Sequence, residues 1–328
     1  MATNMSAQAG LVPAVSVIVC TYDRPRALTR CLRALLEQRP SFAFEVVVVD
    51  NHPQSGITAE LARDFASQPI IRWFEEPMPG LSPARNKGIA VARGEIVAYA
   101  DDDVLPPPEW LGALTAPLFH GAAEIVATTG DCLAMKQTTQ AEILFEAYGG
   151  FRHGEQGQIF DAAWMRRWRI CFPQVWRVGG SGNVAFRRWI FDDPEVGLFE
   201  ARLGPGSPAG AWEDIYCFYR ILRAGHQIQY LPEAWILHAH REEMGALTRQ
   251  LTGYRRGETA FLLLVLTRHG DLRALGQMFL WIPRWRAALF IQELLRRVRG
   301  KRKFSLRLFC AECVAYLSGP WAFWRSRP

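Results

Sequence analysis

The amino-acid sequence predicts an α/β protein with a mainly parallel central sheet flanked by helices, followed by a C-terminal helical extension. Three observations carry this prediction. Short β-rich runs alternate with segments of helical periodicity over the first 130 residues, as expected of βαβ units. Three of the four strand-like runs end beside aspartates, and such sheets bind ligands at the carboxyl ends of their strands. Beyond Thr248, apolar stretches between arginines have the pattern of amphipathic helices.

The elements of the first half follow one another in βαβα order. The run at 15–20 is typical of a buried parallel strand, and apolar residues after it recur at spacings of three and four, which indicates a helix. Ser82 followed by Pro83 is a suitable N-cap and first turn for a later helix. The predicted strands are 15–20, 44–49, 70–74 and 95–100, and the predicted helices are 25–38, one around 61–65, and 82–91.

The second half is richer in glycine and less regular up to residue 235. It contains one strong helix at 213–224, closed by Gly225 at the position of a left-handed cap. A further strand is predicted at 234–238. The segment 254–257 has the composition of a turn, whose two arginines either contact a phosphate or form a solvated helix face.

Charge is distributed unevenly along the chain. The net charge is +6, but residues 268–328 carry 13 lysines and arginines against 3 acidic residues, a net of +10, which leaves −4 for residues 1–267. A basic tail suits nucleic acid or the anionic face of a membrane. Indole rings prefer the lipid headgroup level, so the tryptophans of the tail favour peripheral contact with a membrane, and no nucleic-acid partner is expected. A helical appendage packed on the main domain and a homodimer interface are the alternatives. The tryptophans are Trp281, Trp285, Trp321 and Trp324.

The sequence indicates a cytoplasmic protein, with the cytoplasmic face of the cell membrane as a second expectation. Seven scattered cysteines suit reduced thiols, and the pair Cys310 and Cys313 lacks a second pair at zinc spacing. Residues 1–14 lack the pattern of a signal peptide. Because 18 uncharged apolar residues never run together, no spanning helix is predicted.

Asp101, Asp102 and Asp103 form a dense negative patch at the end of a predicted strand. Such a patch repels itself unless it is solvated or binds a cation. Carboxylate oxygens suit Mg²⁺ or Mn²⁺, which usually binds one or two carboxylates together with substrate phosphates. Taken alone, the triplet also fits a solvated turn before the prolines at 106–108.

Six segments in a fixed order resemble the inverting glycosyltransferases of family 2, which have the Rossmann-like nucleotide-diphospho-sugar transferase (GT-A) fold. The resemblance covers residues 14–241, about two thirds of the chain. It implies a GT-A domain at 14–247, whose nucleotide-binding half is 14–130 and whose acceptor half is 131–247. It also implies a flexible N-terminus at 1–13 before this domain and a basic amphipathic helical extension at 248–328 after it. The segments are VIVCTYDRP at 17–25, VVVDN at 47–51, GLSPARNKG at 80–88, YADDDV at 99–104, GNVAFR at 182–187 and WED at 212–214.

The resemblance implies a nucleotide-sugar donor. Asp23 and Asp50 take its base and ribose, which fits because carboxylates accept hydrogen bonds from uracil and from ribose hydroxyls. Asp101 and Asp103 correspond to the family's metal-binding D-x-D, with His238 as a third ligand and Mn²⁺ or Mg²⁺ as the ion. The middle aspartate then faces the donor sugar or ribose. The donor-binding candidates are Thr21, Asp23, Arg24, Asp50, Arg85, Asn86, Asp101 and Asp102.

The same resemblance makes Asp214 the general base, which takes a proton from the acceptor hydroxyl as it attacks opposite the leaving nucleotide. One base and a metal-held leaving group give inversion without a covalent enzyme intermediate. Structural explanations stand beside these roles: the strand-end aspartates as turn residues, His238 as a core or surface histidine, Trp212 as a core residue, and acidic side chains favoured at a helix N-terminus. The candidates for contact with the acceptor or the sugar are Asn183, Trp212 and Glu213.

The resemblance therefore implies an inverting, non-processive glycosyltransferase, because the Q/R-x-x-R-W run and the spanning helices of processive synthases do not occur. UDP-sugars are the favoured donors and dTDP-rhamnose the second candidate. The acceptor is a hydroxyl of a glycan or a lipid-linked molecule in cell-surface polysaccharide or glycolipid synthesis. A catalytically inactive sugar-nucleotide or glycan-binding protein is the alternative. A nucleotidyltransferase fits less well, since it needs a glycine-rich, basic loop where this chain has residues 21–25.

Overall fold

The computed structural model describes residues 12–298 and 306–326, and of 296–298 the backbone alone. The expected flexible N-terminus, 1–13, lies almost wholly outside the described residues, as does the basic run at 301–303. Within the described ranges, nine strands form one sheet. They are β1 Val15–Thr21, β2 Phe44–Asp50, β3 Ile71–Glu75, β4 Ile96–Ala100, β5 Val104–Leu105, β6 Ile125–Ala134, β7 Gln158–Phe160, β8 Asn183–Arg187 and β9 Gln227–His238.

The strand order is β3-β2-β1-β4-β8-β6-β9-β5, with β7 paired to β9. β1 to β4 pair in parallel, as the βαβ pattern predicts. Beyond β4 the sheet is mixed, because β8 runs antiparallel to both β4 and β6, whereas β6 and β9 are parallel. The parallel character expected from the sequence therefore belongs to the first half. In the second half, the strands are both parallel and antiparallel to their neighbours although helices still lie between them in the chain.

The helices lie on both faces of the sheet and form the C-terminal region. A π-helical turn, Gln277–Trp281, joins the ninth helix to the tenth, and short 3₁₀ turns lie at Pro53–Ser55, Val175–Arg177 and Arg188–Phe191. The α-helices are α1 Pro25–Leu36, α2 Ile57–Asp64, α3 Leu81–Val91, α4 Trp110–His120, α5 Gln140–Ala147, α6 Ala162–Arg166, α7 Glu213–Arg223, α8 Met244–His269, α9 Arg273–Gly276, α10 Ile282–Val298 and α11 Leu306–Arg325.

Side chains of β1 alternate between two apolar clusters, one on each face of the sheet. Val17 and Val19 pack with the buried stripe of α1, which confirms the predicted spacing of that helix. Ile18, between them, belongs to the cluster on the other face, which α3, α7 and α8 cover. Strand residues point alternately to opposite faces, so one strand anchors both layers. The buried stripe of α1 is Leu28, Cys31, Leu32 and Leu35.

One local prediction is wrong, and one open alternative is decided. Gly80, not Ser82, precedes the first turn of α3, and Ser82 Oγ instead donates a hydrogen bond to the carbonyl of Leu203. Residues 254–257 lie inside α8, so this segment is helical and not a turn. Gly257 lets this helix closely approach the segment just before α7, since a Cβ there would lie 2.9 Å from the carbonyl oxygen of Ala211.

α8 connects the domain to the C-terminal helices without a break at residue 248. Its residues Phe261, Leu262 and Val265 are buried in the main core, so the start of the extension is part of the domain's packing. α11 packs on α8, and Gly319 allows the contact, since a Cβ there would lie 2.9 Å from the carbonyl oxygen of Arg256. Each helix in the described ranges is too short or too polar to cross a bilayer.

Candidate active site

The ends of β4 and β9 bring the aspartate triplet and His238 together. Asp101 follows β4, and β5 pairs antiparallel with the end of β9, so that Val104 lies opposite His238. Single ligand atoms of Asp101, Asp103 and His238 lie within 4.8 Å of one another. Within the described part of the chain, the buried Nδ1 of His238 has no hydrogen-bond partner. A carboxylate-rich set of this kind fits Mn²⁺ or Mg²⁺.

Burial and neighbouring charges set the protonation of this cluster. Burial alone would raise the pKa of Asp103, but His238 and Arg24 lower it below its ordinary value. Burial raises the pKa of Asp101, and the Arg85 guanidinium opposes that rise. Burial lowers the pKa of His238, which keeps its ring neutral near pH 7. A neutral imidazole retains the lone pair that a metal ligand needs.

The middle aspartate of the triplet is held by the loop after β1. Asp102 is 4% exposed, and its two oxygens accept hydrogen bonds from Thr21 Oγ1 at 2.8 Å and from Arg24 at 2.6 Å. Arg24 also donates to Asp103 at 2.6 Å. Burial raises the pKa of Asp102 to about 7. Thr21 and Arg24 thus position the aspartate triplet, and the contact of Asp102 with the donor stays a prediction that these bonds do not favour.

A second acidic pair lies where β1 and β2 end. Asp23 accepts a hydrogen bond from Ser55 Oγ and pairs with His52 Nδ1, both at 2.6 Å, and Asp50 accepts from the backbone N–H of His52 at 2.9 Å. Tyr22 is 52% exposed and stacks on His52 with ring centroids 4.7 Å apart. The resemblance to the family assigned neither ring a role, because Tyr22 is only part of the segment 17–25 and His52 lies just beyond the segment 47–51. The two carboxylates lie at the expected edge of the sheet.

Arg85 connects α7 to the candidate metal cluster, which consists of Asp101, Asp103 and His238. Its buried guanidinium donates to Glu213 Oε1 at 2.5 Å and lies 3.4 Å from Asp101 Oδ1. Burial raises the pKa of Glu213 to about 7, with the charge of Asp214 adding to the rise and Arg85 opposing it. The carboxylate of Glu213 is therefore committed to Arg85, which favours a positioning role over direct contact with an acceptor.

Asp214 follows Glu213 in the first turn of α7. Its Oδ2 accepts hydrogen bonds from the backbone N–H and the hydroxyl of Ser181, at 3.1 and 3.0 Å, and its Oδ1 accepts from the backbone N–H of Ile215 at 2.8 Å. The helix N-terminus adds a favourable dipole. These donors fix the direction of the carboxylate.

A cavity of about 770 Å³ reaches from the candidate metal ligands to the start of α7. Asp101, His238 and Asp214 all lie in its wall, so two of the three candidate metal ligands and the carboxylate of α7 face one space. Another part of the wall comes from α8, the π-helical turn and the last two helices. The aromatic residues of that part are Tyr254, Trp281, Trp285 and Tyr316.

Comparison with known proteins agrees with this geometry. Residues 16–164 match the model of glycosyl transferase family 2. Glycosyltransferase AglE of Haloferax volcanii is 38% identical over 274 residues, which cover 83% of this chain and 80% of the relative. The chain belongs to glycosyl transferase family 2.

Other glycosyltransferases support the assignment. The glucosyl-dolichyl phosphate glucuronosyltransferase of Haloferax volcanii is 29% identical over 233 residues, 68% of each chain. The structure of mannosyltransferase PcManGT from Pyrobaculum calidifontis, in complex with GDP-Man and Mn²⁺, matches 97% of this chain and 74% of its own with a TM-score of 0.54 at 19% identity. That likeness establishes the GT-A fold. Some longer relatives match only in part, and the matched segments cover 11% and 15% of the length of two of them.

In this family 2 glycosyltransferase, two expected ligand residues have structural partners. The side-chain oxygen of Asn183 accepts a hydrogen bond from Trp110 Nε1 at 2.8 Å, and its nitrogen donates to two backbone carbonyls. The amide of Asn86 exchanges two hydrogen bonds of 2.9 Å with the backbone of Phe199. Contact of either amide with a sugar stays a prediction, and these bonds favour the structural role.

Trp212 packs in the core and borders the cavity, and its contact with an acceptor stays a prediction. Its backbone has φ of +80°, and its indole N–H donates to the carbonyl of Tyr254 at 2.8 Å. The ring packs against Trp176 and Phe261, with centroids 5.9 and 5.2 Å away. It also lies in the cavity wall, half-buried, so it is anchored to the core while it borders the site.

Proposed function

We propose that this glycosyltransferase is an inverting, non-processive enzyme that moves a sugar from a nucleotide-diphosphate donor to an acceptor hydroxyl. One observation carries the proposal: Asp101 and His238, which cluster with Asp103, face the same cavity as Asp214. Displacement of a nucleoside diphosphate by a hydroxyl needs a cation beside the leaving group and a base beside the attacking oxygen.

In this mechanism Asp214 takes the proton of the acceptor hydroxyl, and the hydroxyl oxygen forms the bond to the anomeric carbon. Ser181 aims the carboxylate through its N–H and its hydroxyl. A single base and no covalent sugar–enzyme intermediate lead to inversion. Asp101, Asp103 and His238 would hold Mn²⁺ or Mg²⁺, which neutralises the diphosphate as it leaves.

The base and ribose of the donor fit the edge formed by Asp23 and Asp50, whose oxygens accept hydrogen bonds from N–H and hydroxyl groups. We favour UDP-sugars, with dTDP-rhamnose second, and GDP-mannose, which the PcManGT complex contains, as the comparison. Thermal unfolding of the full chain with each sugar nucleotide, with and without Mn²⁺, identifies the donor. A ligand that binds the native state raises its melting temperature according to its affinity.

The acceptor is a hydroxyl of a glycan or a lipid-linked molecule in cell-surface polysaccharide or glycolipid synthesis. The name of the 29% identical glucuronosyltransferase, which includes dolichyl phosphate, supports a lipid carrier. The exposed apolar residues of α10 and α11 and the net charge of +10 over 268–328 support peripheral contact with the cytoplasmic face of a membrane. A homodimer through these helices is the competing use of that surface.

Asp103→Ala tests the proposal. Transfer in the presence of Mn²⁺ is expected to fall more than about 100-fold, since even outer-shell partners of a metal commonly cost 10- to 100-fold. Release of nucleotide from the donor is measured with Mn²⁺ and with EDTA, and thermal unfolding confirms that the variant folds. Asp64→Ala, which removes an exposed carboxylate at the end of α2, is the matched control.

Unchanged Mn²⁺-dependent transfer by Asp103→Ala would overturn the proposal. Tight binding of a donor by the wild type without turnover, across a broad acceptor panel, would instead favour a catalytically inactive binding protein.

A further inference from the structure

The cavity continues past Asp214 to the C-terminal helices. Its wall there is formed by α8, the π-helical turn, α10 and α11. The proposed mechanism assigns these wall residues to neither the donor, the metal nor the base, so it leaves them without a role. They are Tyr254, Gln277, Trp281, Ile282, Trp285 and Tyr316.

The charged groups at this end of the cavity are already paired. Arg255 Nε donates to Glu312 at 2.9 Å, and Arg286 donates to the other oxygen of Glu312 at 2.9 Å. Tyr316 donates its hydroxyl hydrogen to Glu258 at 2.9 Å. Because these charges offset one another, this end of the cavity offers a ligand mainly aromatic surface, which suits an apolar chain better than an ion.

The wall reaches the outside of the molecule at Trp281. This residue lines the cavity and is 38% exposed, and its neighbours Phe279 and Leu280 are 71% and 58% exposed. All three belong to the π-helical turn, an irregularity that is frequent at functional sites. The cavity therefore borders an apolar surface where it meets the C-terminal helices.

The helix after this turn extends the apolar surface. α10 packs on α11 through Phe290 and Phe309, whose ring centroids are 5.6 Å apart. Monomeric soluble proteins seldom expose large apolar patches without a partner. Residues 268–328 carry a net charge of +10, which attracts an anionic lipid surface and repels a second copy of the same helices. The exposed apolar residues of the two helices are Phe290, Ile291, Leu294, Leu295, Leu306, Val314, Leu317, Trp321 and Trp324.

The π-helical turn is fixed to the domain that carries Asp214. A Cβ at Gly276 would lie 2.0 Å from the carbonyl oxygen of Ile170, so only glycine allows this approach. Arg273, at the start of α9, donates to the carbonyl oxygens of Met165 and Trp168 at 3.0 and 3.2 Å. The aromatic wall is thus a built part of the cavity and not a loose appendage.

We propose that the acceptor is an amphiphile, a lipid-linked molecule whose hydroxyl-bearing head reaches Asp214 while its apolar chain runs past Trp285 and Trp281 to the surface of α10 and α11. This inference rests on the proposed function, because it uses Asp214 as the base for the acceptor hydroxyl. It decides between the two acceptor classes left open above.

Alkyl β-glucosides with chains of six, eight and ten carbons, each below its critical micelle concentration, test the apolar path, and glucose is the reference without a chain. Binding to the full chain with Mn²⁺ is measured by calorimetry. Affinity is expected to rise on the order of tenfold for each two carbons, because buried methylene groups contribute additively. Affinity independent of chain length would overturn the inference and favour a water-soluble glycan as acceptor.

Trp281→Ala tests whether the alkyl chain of the bound glucoside lies beside Trp281. Since Trp281 is partly exposed, the variant should fold, and decyl glucoside is expected to bind about tenfold more weakly while glucose is unaffected. Trp285→Ala is the second variant and should act in the same direction. Trp189→Ala is the matched control, because Trp189 is 48% exposed and lies outside both the cavity wall and the C-terminal helices. Equal losses in Trp281→Ala and Trp189→Ala would mean non-specific adsorption to exposed aromatic residues and would contradict the path.

Release of nucleotide from the donor with water as acceptor separates the two proposals. If the wild type releases nucleotide in a metal-dependent way but binds the alkyl glucosides equally whatever their chain length, the lipid path alone is contradicted. If the wild type binds the donor but releases no nucleotide with water or with any other acceptor, the proposed function itself is contradicted.

Discussion

The proposed donor side and the proposed acceptor side of the site are built in opposite ways. On the donor side, charged residues follow the ends of neighbouring strands and hold one another, as Arg24 holds Asp102 and Asp103 at 2.6 Å each. On the acceptor side, aromatic residues from α8, the π-helical turn and α10 form a wall whose own charges are paired. The carboxylates of an ion site can thus come from one short segment, whereas a large acceptor pocket requires packing between distant elements.

Asp214→Asn separates catalysis from the donor side and should have the largest effect. Loss of the base is expected to lower kcat by about 10²- to 10⁴-fold, the usual contribution of general base catalysis. Donor affinity should stay unchanged, because Asp214 is not a member of the metal cluster. Turnover at saturating donor and a separate donor titration measure the two quantities. Wild-type turnover in this variant would assign the base to another residue.

Arg85→Met breaks the link between the two sides. It leaves Glu213 buried without its partner and should lower the free energy of unfolding by about 3 to 5 kcal/mol, measured by urea titration. The double variant Arg85→Met/Glu213→Gln should recover much of the loss. Arg223→Met, which breaks the exposed pair with Glu195, is the control and should cost about 1 kcal/mol or less. Equal costs for the two arginines would argue against a stabilising buried link.

Gly276→Ala loosens the acceptor side alone. Its new Cβ would meet the carbonyl oxygen of Ile170, and the forced shift should cost about 1 to 3 kcal/mol of unfolding free energy. Gly112→Ala is the matched control, because a Cβ there meets open space inside α4, and alanine favours a helix over glycine by up to about 1 kcal/mol. Calorimetric unfolding compares them. A stabilised Gly276→Ala variant would contradict the close packing of the turn on the domain.

Leu317→Asp tests the outer surface of the acceptor side and should have the smallest effect. One added negative charge on an exposed face of α11 should weaken binding to vesicles with anionic headgroups about fivefold, since a charge near such a surface contributes about 1 kcal/mol. Sedimentation with vesicles at low and high salt measures it, with Ile143→Asp on α5 as control. Protein that stays off vesicles but dimerises with rising concentration would assign the surface to a homodimer.

The same division explains what the sequence can predict. The strands predicted at 15–20 and 44–49 are observed as Val15–Thr21 and Phe44–Asp50, because buried β-rich runs and the helical stripe between them depend on local patterns. The meeting of Asp103 with His238 was expected only through resemblance to the family. It depends on the antiparallel pairing of β5 with β9, which no local pattern contains.

Errors and omissions arise where tertiary contacts override local preference. Ser82 has the residue type of an N-cap, but its hydroxyl is used by the carbonyl of Leu203, 121 positions away. Asn183 has the residue type of a sugar ligand, and that role stays a prediction, but the sequence could not foresee that Trp110 and two backbone carbonyls bind its amide. The aromatic wall escaped sequence reasoning because its members come from four separate elements and share no spacing.

Binding of Mn²⁺, measured by electron paramagnetic resonance in the wild type, Asp103→Ala and Asp214→Asn, tests the central claim most directly. The proposed arrangement, with the metal cluster and the base as separate groups facing one cavity, predicts that Asp103→Ala loses Mn²⁺ affinity by more than about 100-fold. Asp214→Asn should bind Mn²⁺ like the wild type and fail to transfer sugar. Wild-type Mn²⁺ affinity in Asp103→Ala, or lost Mn²⁺ affinity in Asp214→Asn, would contradict this arrangement.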